Sequence, residues 1–86
     1  MAFEIAYKKS VEKDLVNLGK AEARRVLRKI EKDLATRADQ CPVLKGQFAG
    51  LRKLRVGDYR VIFAVFGEQV LVLRIGHRRE VYRRPT

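Results

Sequence analysis

Leu51-Arg-Lys-Leu-Arg-Val-Gly-Asp-Tyr-Arg-Val-Ile-Phe63, followed by Val70-Leu-Val-Leu-Arg-Ile-Gly-His-Arg-Arg-Glu-Val-Tyr82, decides how this chain folds. Three short apolar runs, Leu51–Val56, Tyr59–Phe66 and Gln69–Ile75, are rich in β-branched and aromatic residues. Their alternation marks strands with one buried face. Gly57-Asp58 and Gly67-Glu68 are two-residue links between them, and glycine at the first central position suits a type II′ hairpin turn. These turns set a register. Val56 faces Tyr59, Arg55 sits opposite Arg60, Phe66 faces Gln69, and Arg60 sits opposite Ile75. Directly opposed residues share a face. One face then carries Leu54, Val56, Tyr59, Val61, Phe63, Val65, Val70 and Val72, the expected core. The other carries Lys53, Arg55, Arg60 and Ile75. Two arginines in direct opposition repel; either an anion between them relieves the cost or the two splay into water as a solvated edge.

Working outward, Phe3, Ile5 and Tyr7 alternate with Glu4 and Ala6 and predict a short strand. Ser10 is a candidate N-cap, Val11, Leu15 and Leu18 follow at helical spacing, and Gly19 is a stop signal. A second helix is predicted over about 20–37, with Ala23, Val26, Leu27, Ile30 and Leu34 as its apolar stripe. Arg28 and Lys32 form a like-charge i,i+4 pair, which slightly disfavours the isolated helix. Residues 38–50, broken by Asp39, Pro42, Gly46 and Gly50, read as a loop. The expected architecture is α+β: an N-terminal strand and a two-helix hairpin packed on a small, mainly antiparallel sheet, in a single domain spanning 1–86.

Beyond Ile75, Gly76 permits a change of chain direction. From Arg74 to Arg84 there are five arginines and one glutamate, a local charge of +4 that adds His77, Arg78, Arg79 and Tyr82 to the cationic end of the sheet. The whole chain has 20 Lys and Arg against 10 Asp and Glu, a net +10 over 86 residues, which favours a polyanionic partner. A hydrophobic fraction of 47% is ordinary for a folded globule and argues against wholesale disorder. The lone Cys41 has no internal disulfide partner, and one Cys with one His offers no metal-ligand spacing. The N-terminus lacks a signal-peptide core and no apolar run approaches about 20 residues, so the expectation is a cytoplasmic protein that engages no membrane.

Such a set suits a phosphodiester. Metal-free RNA cleavage needs the 2′-hydroxyl deprotonated, charge on the phosphorane neutralised, and a proton delivered to the 5′-oxygen. Arginine's planar fork matches two phosphate oxygens, and positioned cations stabilise the developing charge. Lysine, tyrosine, histidine and glutamate can all move the protons. There is no Walker or dinucleotide glycine pattern and no paired-carboxylate dyad. No cofactor and no metal is called for.

In the two quoted segments, after a helical hairpin, the chain resembles the RelE-type toxins of the RelE/ParE toxin–antitoxin superfamily. The resemblance covers nearly the whole chain. It implies a RelE-like fold in a prokaryotic cytoplasm and an mRNA interferase acting in the A site of the 70S ribosome. It also implies a cognate acidic, RelB-like antitoxin, with operator DNA as a partner reached through it. By the resemblance, Lys53 has a proton-transfer or phosphate role, Arg60 contacts the scissile phosphate, Arg78 stabilises it (Arg79 is the alternative), and Tyr82 stacks on or orients the base. His77 and Glu80 are candidates for proton transfer, and Arg52, Arg55, Arg74 and Arg79 for holding phosphate or RNA. A further lysine of the family aligns with Leu51, so one cation is missing here.

Two other readings stand beside the nuclease. One is a ParE-like inhibitor of DNA gyrase; the other is a non-catalytic nucleic-acid-binding module. A basic groove also predicts an acidic, largely disordered antitoxin segment that folds on binding. An amphipathic helix of it would lie on Ile62, Leu71 and Leu73, expected to be exposed beside Arg60. The alternative is that the chain's own C-terminal tail covers these three.

Overall fold

The computed structural model describes residues 2–81, with the side chain of Gln47 excepted. Strand β1 (Glu4–Tyr7) leads into helices α1 (Val11–Leu18) and α2 (Lys20–Arg37), and strands β2 (Arg52–Val56), β3 (Tyr59–Phe66) and β4 (Gln69–His77) follow. Between α2 and β2 lie two short 3-10 turns, Ala38–Gln40 and Gly46–Phe48, in the stretch read as loop. The α+β expectation holds. The sheet order is β1-β4-β3-β2, antiparallel except that β1 pairs parallel with β4.

Gly19 separates the helices. Its φ of 87° is open to glycine at no steric cost, and its N–H bonds Val16 O at 3.2 Å. Ser10 precedes α1 but makes no side-chain capping bond. The α2 stripe folds as its spacing requires, with Val26, Ile30 and Leu34 fully buried and Ala23 and Leu27 half-buried. Val26, Ile30 and Leu34 pack with Val11 of α1 against Leu54, Val56, Val61, Phe63, Val70, Val72 and Ile75 of the sheet.

Both hairpin links behave as the glycines predict. Gly57 and Gly67 have φ of 58° and 59°, and no other residue type has positive φ among the described residues. Asp58 and Glu68 therefore keep negative φ, which fits type II′ and excludes type I′. The β2–β3 register is as expected, with Arg55 opposite Arg60.

The β3–β4 register is also as expected from Phe66–Gln69 to Phe63–Val72, and departs from it beyond. Phe63 pairs with Val72 but Ile62 pairs with Arg74, so Leu73 is an extra, bulged residue. Past the bulge every side chain of β4 changes face. Ile75 lies opposite Val61 in the core, 2% exposed, and Gly76 takes the place opposite Arg60. This corrects the expectation that Ile75 joins the cationic face. The bulge lets Val72 and Ile75, three apart, both point inward. Strand β4 also continues through His77, so Gly76 lies within a strand and the chain turns only afterwards.

Candidate functional site

Two rows of residues cross the sheet's outer face, away from the helices. Lys53, Ile62 and Arg74 form one, and Arg55, Arg60 and Gly76 the next. Neighbouring strands are about 4.8 Å apart, so four cations from three strands surround one apolar residue and one glycine. Lys53, Arg60 and Arg74 are half-buried and Arg55 is exposed. Ile62 at their centre is only 1% exposed, and Leu71 and Leu73 are half-buried. The apolar patch expected to lie open beside Arg60 is thus largely closed. Val81 is also buried, and a Cβ built on Gly76 would lie 3.5 Å from the Val81 Cβ, so the chain after β4 folds back over this glycine.

Arg60 is held by its own hairpin. Its Nη1 donates to Gly57 O and Tyr59 O, both at 2.9 Å. A guanidinium has five N–H donors; these two bonds fix the group, and Nε and Nη2 have no partner among the described residues. Arg78 reaches the same hairpin from the other side, its backbone N–H donating to Asp58 O at 2.8 Å. The two arginines singled out in the sequence are thereby anchored to adjacent residues of one turn. Arg78, Arg79 and Glu80 are exposed in the turn that follows β4, closed by the N–H groups of Glu80 and Val81 on His77 O at 2.8 and 2.9 Å.

Other expected members are placed elsewhere. His77 pairs with Tyr59 on the helix side of the sheet, their rings edge to face at 6.1 Å and 84°. Its Nδ1 accepts the Arg79 N–H at 3.2 Å, leaving Nε2 as the other ring position. With Glu80, Asp14, Asn17, Tyr59 and Arg74 it lines a cleft of about 340 Å³. Arg52 lies opposite Phe63, also on the helix side, and its Nη1 donates to Cys41 O at 2.7 Å. That bond ties the 38–50 segment to the sheet and takes Arg52 away from the cations it was expected to join. Leu51, at the position of the absent lysine, is half-buried. Tyr82 lies outside the described residues. Among the described residues no three His, Cys, Asp or Glu side chains gather as a metal-ligand set.

Asp14 was not singled out in the sequence. β1 pairs with β4 only as far as Val72, so the edge of β4 beyond that point is open toward α1. Asp14 Oδ2 accepts the Ile75 N–H there at 3.0 Å. The available signal was position: Asp14 stands between Val11 and Leu15, at the border of the helix's apolar stripe.

The family model described as "ParE toxin of type II toxin-antitoxin system, parDE" matches residues 5–82, nearly the whole chain. The chain belongs to this toxin family. It is the toxin component of a type II toxin–antitoxin system. No curated protein matches it in sequence. Solved structures match its fold. The RelBE2 toxin–antitoxin complex from Mycobacterium tuberculosis has a TM-score of 0.80 at 21% identity, over 91% of this chain and 100% of that one. The archaeal RelE–RelB complex from Pyrococcus horikoshii gives 0.68 at 28% identity, over 94% and 100%. A chromosomal ParDE system from P. aeruginosa gives 0.67 at 20% identity, over 88% and 96%. The helical hairpin covers one face of the sheet. Here the opposite face carries Lys53, Arg55, Arg60 and Arg74. No helix among the described residues is long and apolar enough to cross a membrane.

Proposed function

We propose that this toxin is a metal-independent endoribonuclease that cuts mRNA in the ribosomal A site. The observation that carries the reading is the anchoring of Arg60 and Arg78 to the Gly57–Asp58 turn, with Lys53 and Arg74 in the next row of the face that carries Arg60. The ribose 2′-oxygen attacks the adjacent phosphorus and the bond to the 5′-oxygen breaks. The 2′-proton passes to a base, the 5′-oxygen takes up a proton, and a 2′,3′-cyclic phosphate and a 5′-hydroxyl remain. Arg60, with Nε and Nη2 available, and Arg78 neutralise the phosphorane. Lys53 is a titratable side chain on the same sheet face as Arg60 and on the neighbouring strand, which makes it the leading proton carrier over His77, whose Nδ1 is engaged on the far side. Glu80, exposed beside Arg78, is the second candidate. Tyr82 stacks on the base. The partners are the 70S ribosome with its message, an acidic RelB-like antitoxin, and operator DNA through that antitoxin, in a prokaryotic cytoplasm.

Arg60→Ala and Arg78→Ala test the roles. Each is expected to relieve growth arrest on induction while circular dichroism shows a folded protein; full toxicity in both would remove these assignments. A second reading, inhibition of DNA gyrase, is favoured by the ParE description of the matching family and by leucine at position 51. It predicts an SOS response and gyrase-linked DNA breaks while translation continues.

A further inference from the structure

A second basic surface lies on the helix side of the sheet edge. Strand β2 is the sheet's outermost strand, and a groove of about 590 Å³ separates it from α2. Arg25, Arg28, Lys29 and Lys32 form the helical wall, and Arg55, Val56 and Gly57 the strand wall; no carboxylate lines it. The helical cations recur at i, i+3, i+4 and i+7, one face of about two turns, or roughly 10 Å. Two have partners: Arg25 Nη1 pairs with Glu22 at 3.4 Å and Lys29 Nζ with Asp33 at 3.0 Å. Arg28, Lys32 and Arg55 have no acidic partner among the described residues. Like charges one turn apart on a helix, facing a third across a groove, disfavour the empty groove. Arg25 also closes one end, since a Cβ on Gly57 would collide with its guanidinium.

The backbone of β2 says what kind of anion fits. The Lys53 N–H points outward to Pro42 O at 3.1 Å, and Val43 bridges to Arg52. This segment covers the strand's edge up to Lys53. Alternation then leaves Arg55 as the one residue of β2 whose N–H and C=O face the groove. An added peptide strand would gain a single residue's bonds there, too few for strand addition. Point charges spaced along a groove, three of the five on arginines, suit a phosphate backbone. Arg55 also stands opposite Arg60, so the groove joins the outer-face cations around the sheet edge.

We propose that the groove between α2 and β2 is a second RNA-binding surface, gripping a sugar–phosphate backbone through Arg28 and Lys32 and meeting the cleavage site at Arg55. The choice of RNA as the polyanion rests on the nuclease reading. The test titrates the full chain with a labelled, 2′-O-methylated 20-nucleotide RNA, which binds but lacks the attacking hydroxyl, across a range of sodium chloride concentrations. Each phosphate contact contributes about 0.7 to the slope of log affinity against log salt for a single strand. Arg28→Gln/Lys32→Gln should therefore flatten the slope by about 1.4 and weaken binding roughly tenfold at low salt. Arg24→Gln, exposed on α2 but outside the groove, should change neither. An unchanged slope in the double variant overturns the proposal. So does a double variant that loses binding to a glutamate 20-mer but not to RNA, which would mark the groove as a surface for an acidic protein. Message cleavage by the unmodified chain is scored separately. A flattened slope without cleavage keeps the groove and removes the nuclease; cleavage with an unchanged slope does the reverse.

Discussion

Replacing Asp14 with alanine removes a side chain that holds the open edge of β4. Its Oδ2 accepts the Ile75 N–H at 3.0 Å at the wall of the cleft that both residues line, and Ile75 is 2% exposed. Hydrogen bonds to charged acceptors contribute about 1.5–3 kcal/mol, and leaving a buried N–H orphaned costs a similar amount. Asp14 itself is half-buried, which places the expected loss near the lower end, about 1.5–2 kcal/mol. For a domain of this size 1 kcal/mol moves Tm by about 4–8 °C, so Asp14→Ala should melt roughly 6–16 °C lower. Asp14→Asn keeps an oxygen acceptor without the charge and should lose about half as much. Thermal unfolding by circular dichroism measures the global effect, and amide exchange locates it. The Ile75 amide should exchange about tenfold faster in Asp14→Ala, since about 1.4 kcal/mol is a factor of ten. A Tm within 2 °C of the parent, with Ile75 protection unchanged, would refute the reasoning; those figures are about the scatter expected for a neutral surface change.

Asp33 should make the fold acid-sensitive. It is 6% exposed, and burial alone would push its carboxyl up, but the hydrogen bonds and charges of Lys29 at 3.0 Å and Arg37 at 3.3 Å outweigh this and hold it below the ordinary value. A depressed folded-state pKa stabilises above the unfolded value of about 4, and the contribution is lost as pH falls through the folded value. Urea unfolding of the parent and Asp33→Asn should differ by a constant amount above about pH 5 and converge toward pH 2; a constant difference throughout would contradict the ion-pair assignment. The glycines should separate by backbone geometry. Gly57→Ala, at φ 58° against the Arg25 guanidinium, should cost about 1–2 kcal/mol or more. Gly76→Ala meets only ordinary contact with Val81 at 3.5 Å, and should be neutral or slightly stabilising in the same melts.

Periodicity made most of the fold legible. The α2 boundaries, Lys20–Arg37, follow from the stripe Val26, Ile30 and Leu34, and the two hairpins from Gly57 and Gly67. The β3–β4 register was legible from the Gly67–Glu68 turn as far as Phe63–Val72 and not beyond, because no glycine or turn signal between Val72 and Ile75 marks the shift. Only the tertiary demand that both Val72 and Ile75 enter the core selects the bulge at Leu73. That bulge brings Arg74 to the outer face and turns His77 toward Tyr59, so it also decides which candidates meet. Arg55 and Arg60 were paired correctly from turn length alone. Arg52 and Arg55 look alike in sequence, and only their parity on β2, with the Cys41 carbonyl beside one of them, separates them. Long-range partners such as Asp14 with Ile75, sixty-one positions apart, leave no local pattern to read.

The central claim is that the cations on the outer sheet face cut RNA on the ribosome. Expressing the chain from a tightly controlled promoter and mapping mRNA 5′ ends on one message, with and without its start codon, tests it most directly. The account predicts new ends within codons on the translated message alone, absent when Arg60→Ala is expressed. Growth arrest with no new ends on either message would contradict it.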